Sequence, residues 1–271
     1  MDKKIAMIGA GNMAMAIVGG LTDPKNMHVV SKENIVLFDV DRAKYARFGD
    51  GFVLADSVGQ AVQNADVVFL AVKPQNYPDV LREAAAVLHS GKVFVSIAAG
   101  ITLQSVSAYF GGDAKVVRAL PNTPLLVGEG VTALCKNDRV SADEYAEVRS
   151  IFASRGLVLD VDELQMNKIV SVTSSSPAYF FLIIKAMTES AIALGLDIDN
   201  LRAAICETMI GSARFAMQSE KSLDELIRMV TTPHGTTEQA LNVFDHADLC
   251  GIFGSAMAAC TKRAEELGKK A

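Results

Sequence analysis

The residues best suited to chemistry open the chain. Ile5-Ala6-Met7-Ile8 is apolar and strand-like, and Gly9-Ala10-Gly11-Asn12-Met13-Ala14 follows directly in a G-x-G-x-x-A pattern. Glycines at this spacing permit a tight turn and let backbone N–H groups approach a pyrophosphate. A small third residue lets the next helix pack on the strand, and the helix N-terminus adds partial positive charge. A strand before the turn and a helix after it are the context in which this pattern indicates dinucleotide binding. Ile8, Gly9, Ala10, Gly11, Asn12, Met13 and Ala14 are therefore candidate cofactor-binding residues. The alternative is a turn with a purely structural role. Asp39 closes the next apolar run, Ile35 to Phe38. A carboxylate there can accept from both ribose hydroxyls and repels a 2′-phosphate, which favours NAD over NADP. Arg42, three residues on, can instead pair with a 2′-phosphate, and Asp39 can alternatively cap a helix starting near Arg42. Asp39 stands 28 residues after Gly11, a long spacing, because Pro24 to Glu33 reads as an inserted loop.

Hydroxyl groups form two further clusters. Thr173-Ser174-Ser175-Ser176 leads into Pro177 and Ala178. Hydroxyls beside the free N–H groups of a helix start make an anion site without arginine, and Pro177 suits the first helical turn. An ordinary N-cap is the plainer reading. Thr236 and Thr237 follow a Pro233-His234-Gly235 turn. His234 can supply a proton near neutral pH, or it is simply a tolerated turn residue. No residue reads as a dedicated general acid of raised pKa. Cys135, Cys206, Cys250 and Cys260 form no CxxC pair and lie near no histidine cluster. They read as reduced thiols, with no metal site.

These residues need elements to position them. The 271 residues divide by roughly 150 per domain into about two. Short apolar runs alternate with helix-like segments over the first 160 residues or so. Strands are expected at Lys4 to Ile8, Ile35 to Phe38, Phe52 to Leu54, Val67 to Val72, Val93 to Ile97, Val116 to Ala119, Val131 to Cys135 and Leu157 to Leu159. Helices are expected between them, for example at Tyr77 to Leu88 and Ala142 to Ser154. This alternation implies an α/β fold: a Rossmann-like, doubly wound, mostly parallel sheet over residues 1–161. After about Asp162 no strand pattern remains. Helices are expected at Ala178 to Leu194, Leu201 to Met217, Leu223 to Val230, Gln239 to Asp245 and Ile252 to Glu266, giving an all-helical C-terminal domain over 162–271. Asp199 is a candidate cap, Ser222 and Glu225 have capping-box spacing, and Gly195 sits where a C-cap glycine would. The apolar composition of the helical half fits packing against a second copy of the chain or a self-contained core.

Charge narrows the function classes. The net charge of −5, with 21% charged residues, gives no basic surplus to neutralise phosphates, so no nucleic-acid partner is expected. The longest apolar runs are strand-sized, so no membrane span is expected. Ile5 to Ile8 is too short for a signal h-region, and a cytoplasmic protein is expected.

Several stretches together carry a family resemblance. They are Gly9-Ala10-Gly11-Asn12-Met13, Leu70-Ala71-Val72-Lys73-Pro74-Gln75, Ser96-Ile97-Ala98-Ala99-Gly100-Ile101-Thr102, Arg118-Ala119-Leu120-Pro121-Asn122-Thr123-Pro124, Ser176-Pro177-Ala178-Tyr179 and Met229-Val230-Thr231-Thr232-Pro233-His234-Gly235-Thr236-Thr237. In this order they resemble pyrroline-5-carboxylate reductase over essentially the whole chain. The resemblance implies NADPH- or NADH-dependent hydride transfer to the C=N carbon of a cyclic imine carboxylate, giving proline. It implies that Ala71, Val72, Lys73, Pro74, Pro121 and Asn122 line the cofactor, with Ser57 near the adenine where an asparagine is usual. It also implies that Thr173, Ser174, Ser176, Pro177 and Ala178 bind substrate. Ser175 and Thr237 would be catalytic, with Thr237 bonding the ring nitrogen. Thr236 and Glu220 would lie near the substrate, and the assembly would be a homodimer or a ring of dimers.

The departures from the family pattern cluster on the substrate side. Ser174 and Ser176 stand where the family has glycines, so a loop needing positive φ would be strained. His234 also replaces a glycine. Three other readings stay open. One is a reductase of a related cyclic imine, favoured by the serine-rich loop. Another is a non-catalytic nucleotide-binding regulator. The third is a β-hydroxyacid-type dehydrogenase using Lys168.

Overall fold

The computed structural model describes residues 3–24, 30–87 and 90–268. Eight strands form one sheet: β1 (Ile5–Ile8), β2 (Ile35–Phe38), β3 (Val53–Leu54), β4 (Val67–Leu70), β5 (Val93–Ser96), β6 (Lys115–Pro121), β7 (Gly130–Lys136) and β8 (Gly156–Asp160). Their order is β3-β2-β1-β4-β5-β6-β7-β8, and only the β6–β7 pair is antiparallel. Each expected strand is present, β2 with the expected bounds and the others with ends shifted by one or two residues. β1 and β4, at the centre of the sheet, are apolar throughout because both of their faces are covered. In β1, Ala6 and Ile8 belong to one buried cluster and Ile5 and Met7 to the other.

The chain reverses between β1 and β4, which flank each other in the sheet with Ile8 opposite Leu70. A doubly wound sheet opens a crevice at such a switch point, beyond the carboxyl ends of its strands. Helices α1 (Asn12–Leu21), α2 (Val58–Gln63), α3 (Tyr77–Ala85), α4 (Leu103–Ala108) and α5 (Ala142–Ala153) connect the strands. Helix α3 stops at Ala85, short of the expected Leu88, which lies outside the described residues, as do residues 25–29 of the expected loop.

Helix α6 (Glu163–Ile169) runs into a π-helical turn at Val170–Ser174 and then α7 (Ser176–Ala193). The helical residues from Glu163 to Ala193 are long and apolar enough, by length and composition, to cross a membrane. This continuous run exceeds the strand-sized stretches visible in the sequence. α8 (Leu201–Gln218), α9 (Leu223–Met229), α10 (Thr236–His246) and α11 (Leu249–Gly268) complete the chain.

Two compact units result. One joins the sheet and its helices, up to Pro177, with the chain from Ala259; Met166, Val170 and Ala264 belong to its core. The other is Ala178–Ala258, where Ile205 is the one buried residue. Phe180, Phe181, Leu182, Phe215 and Met217 are exposed there. The helical unit therefore has no self-contained core, which decides between the two readings of its composition. Ser222 and Glu225 form the expected capping box, and Gly195 takes φ +85° after α7. Asp199 does not cap α8. Asn200 holds the N-cap position at φ 61° with no side-chain cap bond.

Candidate active site

The glycine turn sits at the switch point. Gly9 N–H donates to Phe38 O at 2.7 Å and Ala71 N–H to Ile8 O at 2.8 Å, so the ends of β1, β2 and β4 are laced together. Gly9 has φ +105°, and a Cβ there would stand 2.5 Å from Ala71 O, so no other residue fits. Gly11, by contrast, faces open space and forms the N-cap of α1 without a side-chain bond. The first amides of α1 have no helical acceptor. A cavity of about 650 Å³ lies alongside, lined by Gly9, Gly11, Asp39, Lys44, Val72 and Lys73 among others. An open phosphate-sized approach to a helix N-terminus, with a glycine whose Cβ would collide with the next strand, suits a dinucleotide.

Asp39 is placed at this cavity but engaged inward. Its Oδ2 accepts from Ala10 N–H at 2.8 Å and its Oδ1 from Asp41 N–H at 2.9 Å. Lys44 Nζ reaches both oxygens, at 2.9 and 3.0 Å. Four bonds occupy the roughly four acceptor sites of a carboxylate. Burial pushes the Asp39 pKa up, but the two amides and Lys44 outweigh it and hold it below the ordinary carboxylate value. The capping alternative fails, because Asp41 accepts from Ala43 N–H at the turn Arg42–Arg47. Arg42 pairs with Asp56 at 2.5 Å. Arg47 donates to Asn12 Oδ1 at 2.7 Å. Ser57 caps α2 by accepting from Gln60 N–H at 3.1 Å. Lys44 and Arg47 gave no signal in sequence, since a basic helical turn usually reads as a solvated face.

Ala71, Val72, Lys73 and Pro74 follow β4, with Pro74 opening a short turn capped by Lys73. Pro121 ends β6 and is buried. Asn122, also buried, donates from Nδ2 to Thr173 O at 3.0 Å and accepts Val131 N–H at 2.8 Å. That bond brings the Pro121-Asn122 stretch and the hydroxyl cluster together.

The hydroxyl cluster is not the open helix start expected from Pro177. α6, the π turn and α7 follow one another, and Ser175 N–H is already bonded to Val170 O at 2.9 Å. Thr173 Oγ1 donates to Ile169 O at 3.2 Å and Ser176 Oγ to Val172 O at 2.6 Å, as hydroxyls inside helices do. Ser174 and Ser176 are absent from the positive-φ residues, so serine carries no backbone strain here. Two hydroxyls stand apart. Ser174 Oγ is buried with no hydrogen-bond partner among the described residues, and Ser175 Oγ accepts from Cys260 Sγ at 3.2 Å. A buried, unsatisfied hydroxyl is costly unless something else bonds it.

Beneath this turn lies a polar group that the sequence reading passed over. Arg118, on β6, is 1% exposed. Its Nη2 donates to Asn167 Oδ1 at 2.6 Å, and its Nη1 lies 3.6 Å from Glu163 Oε1. Burial lowers its pKa, while Cys135 and Glu163 act the other way. Burial also pushes the Cys135 thiol up to about 12. An arginine inside the apolar stretch Val116 to Leu120 was the available signal. Lys168 is exposed on α6.

In the helical unit, Thr236 and Thr237 are the first two residues of α10, after the N-cap Gly235. Gly235 is required, since a Cβ would stand 2.3 Å from Thr232 Oγ1. His234 takes φ 60° and its N–H donates to Glu238 Oε2 at 2.8 Å. The turn therefore places two hydroxyl-bearing residues in the first turn of a helix, whose leading amides have no helical acceptor. Glu220 is exposed, just before the Ser222 cap.

Residues 163–267 match the family model described as pyrroline-5-carboxylate reductase dimerisation, and residues 4–100 match one described as NADP oxidoreductase, coenzyme F420-dependent. The pyrroline-5-carboxylate reductase of Pseudomonas aeruginosa is 36% identical over 98% of this chain and 97% of its own. That of Escherichia coli is 35% identical over 99% and 100%. Among solved structures, the Coxiella burnetii enzyme superposes with a TM-score of 0.85 at 36% identity, covering 98% of this chain and 99% of that one. The Plasmodium falciparum enzyme, solved with NADP bound, reaches 0.90 at 24% identity over 98% of each chain. Relatives 35% and 36% identical are matched over nearly the full length of both chains, and the chain belongs to the pyrroline-5-carboxylate reductase family.

Proposed function

We propose that the protein reduces 1-pyrroline-5-carboxylate to proline with NADPH. The observation that carries this reading is the full-length match at 36% identity to a reductase of that name, joined to a fitted dinucleotide turn at Gly9. The cofactor supplies a hydride to the C=N carbon, and the chain's own residues bind and orient. Gly11, Asn12 and Met13, at the open start of α1, hold the pyrophosphate through backbone N–H groups, while Ile8, Gly9, Ala10 and Ala14 shape the turn, the Gly9 and Ala10 amides being bonded to Phe38 O and Asp39 Oδ2. Ala71 to Pro74, Pro121 and Asn122 frame the reactive end, and Ser57 borders the adenine.

NADPH is favoured over NADH because Asp39 has no acceptor site left for ribose hydroxyls. Lys44 uses two of its three donors on Asp39, which leaves one for a 2′-phosphate. This reverses the preference that Asp39 suggests in the bare sequence.

Thr173, Ser174, Ser175 and Ser176, with Pro177 and Ala178, hold the substrate carboxylate; the unsatisfied Ser174 Oγ supports this. Thr237 bonds the ring nitrogen, since a hydroxyl can both accept and donate as an imine becomes an amine. Thr236 and Glu220 border the substrate. A protonated imine needs no dedicated acid, so orientation supplies most of the rate. The left-handed His234 fits a turn residue better than a proton donor. The exposed apolar helices of the second unit cover each other in a homodimer, in keeping with the dimerisation model matched there, and dimers can join into a ring. Four free thiols fit a reducing, cytoplasmic compartment.

Turnover with NADPH deuterated at the transferred position tests the reaction. Proline carrying one deuterium at Cδ is expected. Unlabelled proline, or none, would overturn the reading.

A further inference from the structure

We propose that Arg118 is a positioning residue for the substrate-binding turn, acting through Asn167. The proposal rests on the reading of Thr173 to Ser176 as the carboxylate-holding segment. Arg118 on β6 and Asn122, the extended residue just past its end, stand four residues apart, a spacing that puts both side chains on one face. Each reaches the same helical run. Arg118 Nη2 bonds Asn167 Oδ1 at 2.6 Å on α6, and Asn122 Nδ2 bonds Thr173 O at 3.0 Å in the π turn. The two bonds lie on either side of the point where helical geometry changes from α to π. Fixing both sides sets the rotation of the turn, and so the direction of the Ser174 and Ser175 hydroxyls.

The cost of this arrangement argues that it serves more than stability. Arg118 is fully buried and, among the described residues, its Nε has no hydrogen-bond partner and the carboxylate paired with it, Glu163, is at 3.6 Å. Glu163 Oε1 also accepts Leu103 N–H at 2.7 Å, so it is shared. An apolar side chain of similar volume packs such a site at least as well as a buried, incompletely bonded charge. What an apolar side chain cannot do is hold Asn167 at one angle. Buried polar contacts of this kind specify geometry, and here the geometry is that of the hydroxyl-bearing turn.

The test uses the full-length protein with Arg118→Met, Asn167→Leu and Asn167→Asp. KM for pyrroline-5-carboxylate, kcat, and the Kd for NADPH by fluorescence are read together. The Met and Leu variants are expected to raise the imine KM about tenfold while the NADPH Kd stays within twofold. Asn167→Asp keeps an acceptor for Arg118 and is expected to stay within threefold of the parent KM. Should Arg118→Met fail to fold, the Asn167 pair decides. An unchanged imine KM in Asn167→Leu, or equal losses of imine and NADPH binding, would overturn the proposal. A parent protein with no imine turnover would instead refute the functional reading on which it stands.

Discussion

Replacing Lys44 by methionine isolates the charge that is paired with Asp39 beside the glycine turn. Lys44 Nζ sits 2.9 and 3.0 Å from the two carboxylate oxygens, and Asp39 has only 8% of its side chain exposed. Methionine keeps the length of the side chain and removes the cation. Two effects then fall on NADPH. The phosphate loses a charge-assisted hydrogen bond, worth about 1.5–3 kcal/mol, and it meets a carboxylate that is no longer neutralised. Lys44 is 37% exposed, so solvent screening places the loss near the lower end. At about 1.4 kcal/mol per decade, kcat/KM for NADPH falls roughly tenfold or more. NADH should hold its kcat/KM or gain a few-fold, because Asp39 regains acceptor sites for the ribose hydroxyls. The assay is the steady-state rate at 340 nm with each cofactor at saturating imine. Equal losses with both cofactors would mean that Lys44 only braces the turn. No change with either would remove it from cofactor recognition.

Other consequences follow from single positions. Gly9→Ala puts a Cβ 2.5 Å from Ala71 O at φ +105° and should abolish NADPH binding, measured by quenching or transfer of cofactor fluorescence. Retained micromolar binding would contradict the assigned turn. His234→Gly relieves a left-handed residue at φ 60°, a conformation costing about 1–2 kcal/mol for non-glycine residues. Its Tm should rise by a few degrees, and an unchanged or lower Tm would show that the histidine is held by compensating contacts. Asp39, with a folded pKa below its ordinary 3.8, stabilises the fold fully above that value and loses the contribution as pH falls through the lowered one. Stability of Asp39→Asn should therefore fall less steeply below about pH 4 than that of the parent. An identical acid limb would dismiss the linkage.

The sheet was legible in the sequence because β1 and β4, at its centre, are buried on both faces and carry no polar residue to disguise them. All eight lie where apolar runs end in turn residues, and the glycine turn announced the ligand end of β1. Side-chain partnerships were less visible. Asp39 reads as a ribose acceptor until Lys44, five residues on, is seen to fold back onto it. Nothing in the spacing of a basic turn foretells that. The run Thr173 to Ser176 reads as a loop before proline, yet the chain stays helical through a π turn, and the proline simply occupies the second position of α7. Periodicity does not report a single inserted residue. Asp199 looked like the cap of α8, but the left-handed Asn200 took the place, a choice made by backbone geometry rather than residue preference. The absence of a core between Ala178 and Ala258 was invisible as well, since an apolar helix reads alike whether it is buried by its own chain or by another.

The central claim is reduction of a cyclic imine carboxylate by positioned hydroxyls at a dinucleotide turn. The most direct measurement is the loss of absorbance at 340 nm when purified protein meets pyrroline-5-carboxylate and NADPH, with proline quantified in the same sample. The account predicts one proline formed for each NADPH consumed, and a rate that falls at least tenfold in Thr237→Val. NADPH bound but not consumed, or consumed without proline, would contradict it.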